Sequence, residues 1–263
     1  MRNIKLVIAD ADGTLISNGS IGSTPLALKK VIRNIRNAGI LFSIISGRDE
    51  PFLRELYRNL VSPSEPKQQE ALMYEDACIR LFSGEVYCLG GIDSSVLDQI
   101  NKMYDKRRDL FAGLVSLPNN KFTIRASWVT EEFASGKPSN VQTLDERYES
   151  IKELTEEGFP MVEVVRSADA IDVISRGVNK ALSLTKYLGL LKGQIAPPEV
   201  LAIGDAVNDE KMLRLISEAG GKIGFVGTDK DLEARISVMK NGYISNQKGP
   251  FGTCEVIEHF CHS

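Results

Sequence analysis

Four short stretches hold the residue types and spacings of this chain that can do chemistry: "DADGT" (10–14), "SGR" (46–48), "GVNKA" (177–181) and "GDAVND" (204–209). They supply the carboxylates of Asp10, Asp12, Asp205 and Asp209, together with Ser46, Gly47, Lys180 and Asn208. Carboxylates brought together without a cation repel one another and shift their pKa values upward. A hard divalent ion removes that conflict, and an all-oxygen ligand set with retained waters suits Mg²⁺. The same ion would screen a carboxylate nucleophile from an incoming phosphate dianion. The Ser46 hydroxyl, the Gly47 N–H and the Lys180 ammonium are then suited to hold the transferring oxygens. Gly13 lets the chain turn sharply beside Asp12. Each stretch alone also has an ordinary reading: an Asx turn at Asp10–Asp12, a capping serine at Ser46, a surface ion pair at Arg48, a surface lysine at Lys180, and a first-turn helix acid at Asp209.

The elements around these stretches decide whether they can meet. "IKLVIA" (4–9) and "ILFSIIS" (40–46) are near-continuous apolar runs, as expected of strands covered by helices on both faces. Between them, Thr24-Pro25 predicts an N-cap followed by proline at the first helical position. The helix it opens carries Leu28, Val31, Ile32 and Ile35 on one stripe and stops at Gly39. Asp49 is placed to cap a helix over "EPFLRELYRNL", and "ALMY" (71–74) reads as a third strand. After Gly177 the same rhythm resumes, with a helix over about 179–189, the strand "EVLAIGD", a helix following "VNDEKMLRLI", the strand "KIGFV" and two closing helices. Strand-helix-strand alternation predicts right-handed crossovers and a doubly wound parallel sheet. In such a sheet ligands gather at the carboxyl ends of the strands, where all four stretches lie.

The middle of the chain has a different texture. "CIRLFSGEVYCLGG" reads as two short strands around a Ser-Gly turn. A helix over about 94–111, strand candidates "GLVSL" and "FTIRAS", a helix over about 143–157 capped by Thr143, and the pair "MVEVV" and "AIDVIS" follow. Grouped strands with fewer helices predict a small α+β unit, open on one sheet face. The division expected is α/β: residues 1–86 and 176–263 form one doubly wound domain, and 87–175 form an inserted α+β cap. "SPSEPKQQE" (62–70) reads as a solvated loop.

Composition narrows the function classes. A net charge of −3 gives no basic field of the kind that collects nucleic acid. No apolar run reaches the roughly 18–20 residues needed to cross a bilayer, and the N-terminus lacks a signal-peptide core. Cys78, Cys88, Cys254 and Cys261 form no C-x-x-C pair and fit thiols of a reducing, cytoplasmic protein better than a disulfide framework. Nothing in the sequence sets the oligomeric state.

In their order along the chain, "DADGT", "SGR", the lysine of "GVNKA" and "GDAVND" resemble the four signature motifs of the haloacid dehalogenase-like phosphatases. The match spans the core, about two-thirds of the chain, and the long insertion is similar to the cap of the Cof-type branch. That resemblance implies a Rossmann-like core, and it implies roles. Asp10 would attack phosphorus and form an aspartyl-phosphate. Asp12 would protonate the leaving alcohol and then deprotonate the hydrolytic water. Mg²⁺ would be held by Asp10, the Asp12 backbone carbonyl and Asp205, with Asp209 orienting ligands or water. Ser46, Gly47, Lys180 and Asn208 would bind the phosphoryl group. The partner implied is a small phosphate ester, a sugar phosphate or a phosphoglycolate-like acid, enclosed by the cap.

Two other functions use similar parts. A phosphomutase such as phosphomannomutase would need a cap with several clustered basic residues, where this one offers only "DKRRD" (105–109). A response-regulator-like phospho-accepting module also combines acids, a hydroxyl and a lysine, but its acceptor follows the third strand, where this chain has "YEDA". Within the inserted segment, Asn119, Lys121, Arg125 and Trp128 are candidates for the non-phosphate end of a substrate, and Arg125 suits a carboxylate or second phosphate. Cys254, His259, Cys261 and His262 lie close in sequence, but their spacing matches no usual zinc site and an amphipathic terminal helix is expected there.

Overall fold

The computed structural model describes residues 4–17, 19–75, 78–88, 91–117, 126–166 and 170–261. By contact density the chain divides into two compact units, Met1–Tyr87 with Asn179–Ser263, and Cys88–Val178.

The first unit is built on one eight-stranded sheet. Its first chain segment supplies β1 (Leu6–Asp10), α1 (Leu26–Asn37), β2 (Leu41–Ser46), α2 (Glu50–Val61), β3 (Ala71–Tyr74), β4 (Cys78–Leu81) and β5 (Val86–Cys88). The second segment returns as α6 (Lys180–Leu190), β10 (Val200–Gly204), α7 (Glu210–Glu218), β11 (Lys222–Phe225), α8 (Lys230–Ser237), β12 (Gly242–Ile244) and α9 (Gly249–Cys261). Strand order is β12-β11-β10-β1-β2-β3-β4-β5. The run from β12 to β3 is parallel, and β4 pairs antiparallel to β3. Every residue of β1, β2, β3 and β10 is buried, which explains why these strands are apolar without alternation. Leu6, Ile8, Ile45, Met73 and Ala202 pack with Leu184, Tyr187, Met212, Leu213, Ile216, Leu232 and Ile236 from α6, α7 and α8. Across the sheet, α1 packs against both α2 and α9. A β-carbon on Gly224 would lie 2.3 Å from Val256 Cγ1, so the bare backbone of β11 is what lets α9 come this close.

The helix starts show which local signals the chain uses. Asp49 caps α2 as expected, accepting from the Phe52 N–H at 2.8 Å. Pro25 stands at the N-cap of α1 and not inside it, because its ψ of 145° is extended; Thr24, expected to cap, lies one residue outside. β12 has only three residues and was too short to read from periodicity.

The second unit contains α3 (Ser94–Lys106), β6 (Leu114–Leu117), β7 (Ala126–Thr130), α4 (Glu131–Ala134), α5 (Val141–Gly158), β8 (Val162–Arg166) and β9 (Ala170–Ser175). Its sheet, in the order β6-β7-β9-β8, is antiparallel throughout. Trp128, Ile171, Val173, Val162 and Val164 form a core with Leu97, Ile100, Tyr104, Leu144 and Ile151. α3 ends at Lys106, earlier than its pattern suggested, and Phe111 folds back edge-on to Tyr104 with ring centroids 4.8 Å apart. α5 is capped by Asn140, which accepts from the Thr143 N–H, so Thr143 is the donor to the cap and not the cap. The middle strands of this sheet, β7 and β9, also carry a polar pair. There Ser127 donates to Asp172, and both side chains are buried.

The segment read as a solvated loop ends in a fully buried carboxylate. Glu70 accepts Nε and Nη2 of Arg36, each at 2.8 Å, as well as the backbone N–H groups of Phe42 and Lys67 and the Tyr57 hydroxyl. The pair ties α1, β2 and the loop entering β3 together. Removing one partner of a buried pair strands the other charge, at a cost of roughly 3–5 kcal/mol. Glu70→Ala should therefore lower unfolding free energy by about that amount in urea titration; a loss below about 1 kcal/mol would show that the pair is not effectively buried.

Candidate active site

β1 and β10 run parallel as neighbours with Ala9 beside Ile203, so Asp10 and the residues after Gly204 emerge together at one end of the sheet. On the other side of β1, Asp10 lies in register with Ile45, and Ser46 pairs with Tyr74 one strand further out. The strand order runs outward on both sides of β1, so the carboxyl ends of β1, β10, β2 and β3 meet at the switch point where ligands collect in such sheets. Lys180, the first residue of α6, reaches into the same place and is almost entirely buried.

Lys180 is the hub. Its Nζ lies 2.8 Å from Asp10 Oδ1, 2.7 Å from Asp209 Oδ1 and 3.4 Å from Glu75 Oε1. Burial opposes its charge, but Asp10, Asp209 and Glu75 outweigh that effect and hold the ammonium pKa well above its usual value. Asp209 is anchored on both oxygens: Oδ1 meets Lys180, and Oδ2 accepts from the N–H groups of Asp205 at 2.9 Å and Ala206 at 3.1 Å. Asp205 Oδ1 accepts from the Thr14 hydroxyl at 2.8 Å. A β-carbon on Gly13 would stand 2.0 Å from Asp205 Oδ2, and Gly13 has φ +73°, so this turn excludes a side chain on both counts.

One oxygen from each of Asp10, Asp205 and Asp209 can be chosen so that all lie within 4.8 Å of one another. The single ammonium does not balance the cluster. Burial is the main reason the Asp10 carboxyl sits well above the usual carboxylate range, with Asp209 and Asp205 adding to it and Lys180 opposing. Burial also pushes Asp205 up to about 7, reinforced by Asp209 and opposed by the Thr14 hydrogen bond. Such a group of oxygen donors is short of positive charge and fits a hard divalent cation.

Asp12 lies on the next turn, half-exposed. Both its oxygens are taken by Arg48, with Nε to Oδ2 and Nη2 to Oδ1 each at 2.8 Å. The guanidinium also covers the Phe52 ring, 4.9 Å from its centroid. Ser46 is buried at the end of β2, and its Oγ accepts from the Arg48 N–H at 3.2 Å, with Gly47 forming the turn between them. Asn208 is exposed on a 3-10 turn, and its Nδ2 donates to Glu75 Oε1 at 2.7 Å.

The structure thus gathers Asp10, Asp205, Asp209 and Lys180 directly, and joins Asn208 to them through Glu75. Asp12 and Ser46 come from adjacent strand ends and are both tied to Arg48. Arg125 lies outside the described residues, as do Asn119, Lys121 and His262. Trp128, offered for a ligand, is instead a fully buried core side chain. Cys254, His259 and Cys261 belong to α9, where Cys254 is buried and His259 stacks on Tyr243 with centroids 4.2 Å apart. Thr14 and Glu75 had no role legible in the sequence, and Arg48 stood between a functional role and a surface ion pair. Glu75 was recoverable, since it directly follows β3 and strand ends are where site residues gather.

The chain is similar to known proteins over most of its length. The family model for haloacid dehalogenase-like hydrolases matches residues 102–219. The chain is similar to phosphoglycolate phosphatase 1 of Saccharolobus solfataricus, at 24% identity over 97% of this chain and 95% of that protein. It is also similar to the phosphoglycolate phosphatase of Metallosphaera sedula, at 26% identity over 91% and 94%. In fold it resembles a Thermoplasma acidophilum protein, with TM-score 0.71 and 16% identity over 98% of each chain. It likewise resembles the sucrose-phosphatase of Synechocystis sp. PCC6803, with TM-score 0.63 and 18% identity over 99% and 98%. With the ordered motifs meeting at one sheet end, the match over residues 102–219 makes this part of the chain similar to the haloacid dehalogenase-like hydrolases.

Proposed function

We propose that this chain is a Mg²⁺-dependent phosphatase of small phosphate esters and that Asp10 is its nucleophile. The observation that carries the reading is the trio Asp10, Asp205 and Asp209, in which Asp10 and Asp209 share one ammonium and Asp10 and Asp205 have raised carboxyl pKa values. Asp10, Asp205 and the Asp12 backbone carbonyl would hold the ion; Asp209, with both oxygens already engaged, orients Lys180 and the Asp205 turn. When bound, the cation lowers the pKa of the surrounding carboxyls and offsets repulsion between nucleophile and phosphate.

The remaining steps belong to the side chains. Lys180 fixes Oδ1 of Asp10, which leaves Oδ2 to attack phosphorus. The Ser46 hydroxyl, the Gly47 N–H and the Asn208 amide supply donors for the phosphoryl oxygens. Asp12 delivers a proton to the leaving oxygen, and one of its two bonds to Arg48 opens for that transfer. Hydrolysis of the aspartyl-phosphate then uses Asp12 as base toward water. Two assisted steps suit a reaction whose uncatalysed form is among the slowest known. The named relatives favour phosphoglycolate or a similar small acid, and the sucrose-phosphatase, described in complex with sucrose and phosphate, favours a sugar phosphate.

Phosphate release from p-nitrophenyl phosphate should require Mg²⁺, stop in EDTA, and fall at least about 1000-fold in Asp10→Asn. Normal turnover by that variant would refute the covalent role. Assaying phosphoglycolate and hexose phosphates in parallel then separates the two substrate classes by kcat/KM.

A second test uses stability in EDTA. The Asp205 carboxyl is held up at about 7, above its ordinary 3.8, so the folded protein keeps this proton over a range where the unfolded chain has lost it. The contribution is therefore complete below about pH 4 and is lost as pH rises toward 7. Relative to wild type, metal-free Asp205→Asn should gain on the order of 1–3 kcal/mol between pH 5 and 8. Parallel stability curves for the two proteins would contradict the burial of an uncompensated charge.

A further inference from the structure

The turn that carries Asp12 and Thr14 is tied to the far end of the chain. Thr253 Oγ1 donates to the Thr14 backbone carbonyl at 2.7 Å, and both residues are fully buried. Thr253 sits in α9, where a threonine hydroxyl ordinarily bonds back to its own helix; here the Gly249 carbonyl is 3.3 Å away. A hydroxyl has one proton to give, and the shorter contact is the one outside the helix. Thr14 is thereby gripped at its carbonyl while its own hydroxyl holds Asp205 Oδ1 at 2.8 Å.

We propose that Thr253 is a positioning residue for the carboxylate site: through Thr14 it fixes the orientation of Asp205 and so sets the affinity of the site for a divalent cation. The inference rests on the reading of Asp205 as a cation ligand. Its physical basis is that groups behind a ligand orient it and that their loss weakens metal binding. Without the Thr253 proton, the turn loses a buried hydrogen bond and the Thr14 hydroxyl loses its fixed origin. The site then has to be organised by the ion itself.

The test is equilibrium binding of Mn²⁺, followed by electron paramagnetic resonance at pH 7.5, for wild type, Thr253→Val and Thr253→Ser, with melting curves recorded in EDTA. Thr253→Val should bind Mn²⁺ roughly three- to tenfold more weakly, and Thr253→Ser should restore wild-type affinity because it keeps the donor. If Thr253→Val does not fold, Thr253→Ala carries the same expectation. A lower melting temperature with unchanged Mn²⁺ affinity would reduce Thr253 to a packing residue and overturn the proposal. Wild-type protein that binds no Mn²⁺ would instead overturn the cation reading beneath it, so the two failures are distinguishable.

Discussion

One charge imbalance organises the carboxyl end of the large sheet. Four carboxylates, Asp10, Asp209, Glu75 and Asp205, converge there, and the first three share the single ammonium of Lys180. Burying several like charges around one cation is unfavourable unless hydrogen bonds and a further positive charge compensate. The chain supplies the hydrogen bonds: the Thr14 hydroxyl to Asp205, and two backbone N–H groups to Asp209. The remaining deficit is what a divalent ion would fill.

The rest of the first unit serves that arrangement. Placing β1 between β2 and β10 brings segments nearly two hundred residues apart to one edge, and full burial of these strands fixes their ends in register. Gly13 clears space for Asp205, and Gly224 lets α9 pack close enough for Thr253 to reach the turn after β1. Arg48 occupies both oxygens of Asp12, while the neighbouring Ser46 hydroxyl accepts from its backbone N–H.

Much of this was legible in the residues. Apolar runs such as "LVIA" and "LAIG" mark strands covered on both sides, and their endings in Asp10 and Asp205 locate the site. Strand ends and helix starts show up in local sequence because burial and capping act over a few residues. Glu70 did not, because nothing near "KQQE" signals that Arg36, thirty-four residues earlier, will enclose it. The same holds for the Arg48–Asp12 pair and for Thr253, whose partner lies 239 positions away. Polar residues take their meaning from three-dimensional neighbours, and a local pattern carries no trace of them. Boundary errors had a similar source: Thr143 and Asn140 are both capping types, and only backbone geometry decides which accepts.

The claim that Asp10 and Asp205 are held together for a cation is tested most directly by anomalous diffraction from crystals equilibrated with Mn²⁺. The account predicts one strong anomalous peak touching a carboxylate oxygen of Asp10 and another of Asp205. A peak bound elsewhere, or none at that position with the site otherwise ordered, would contradict it.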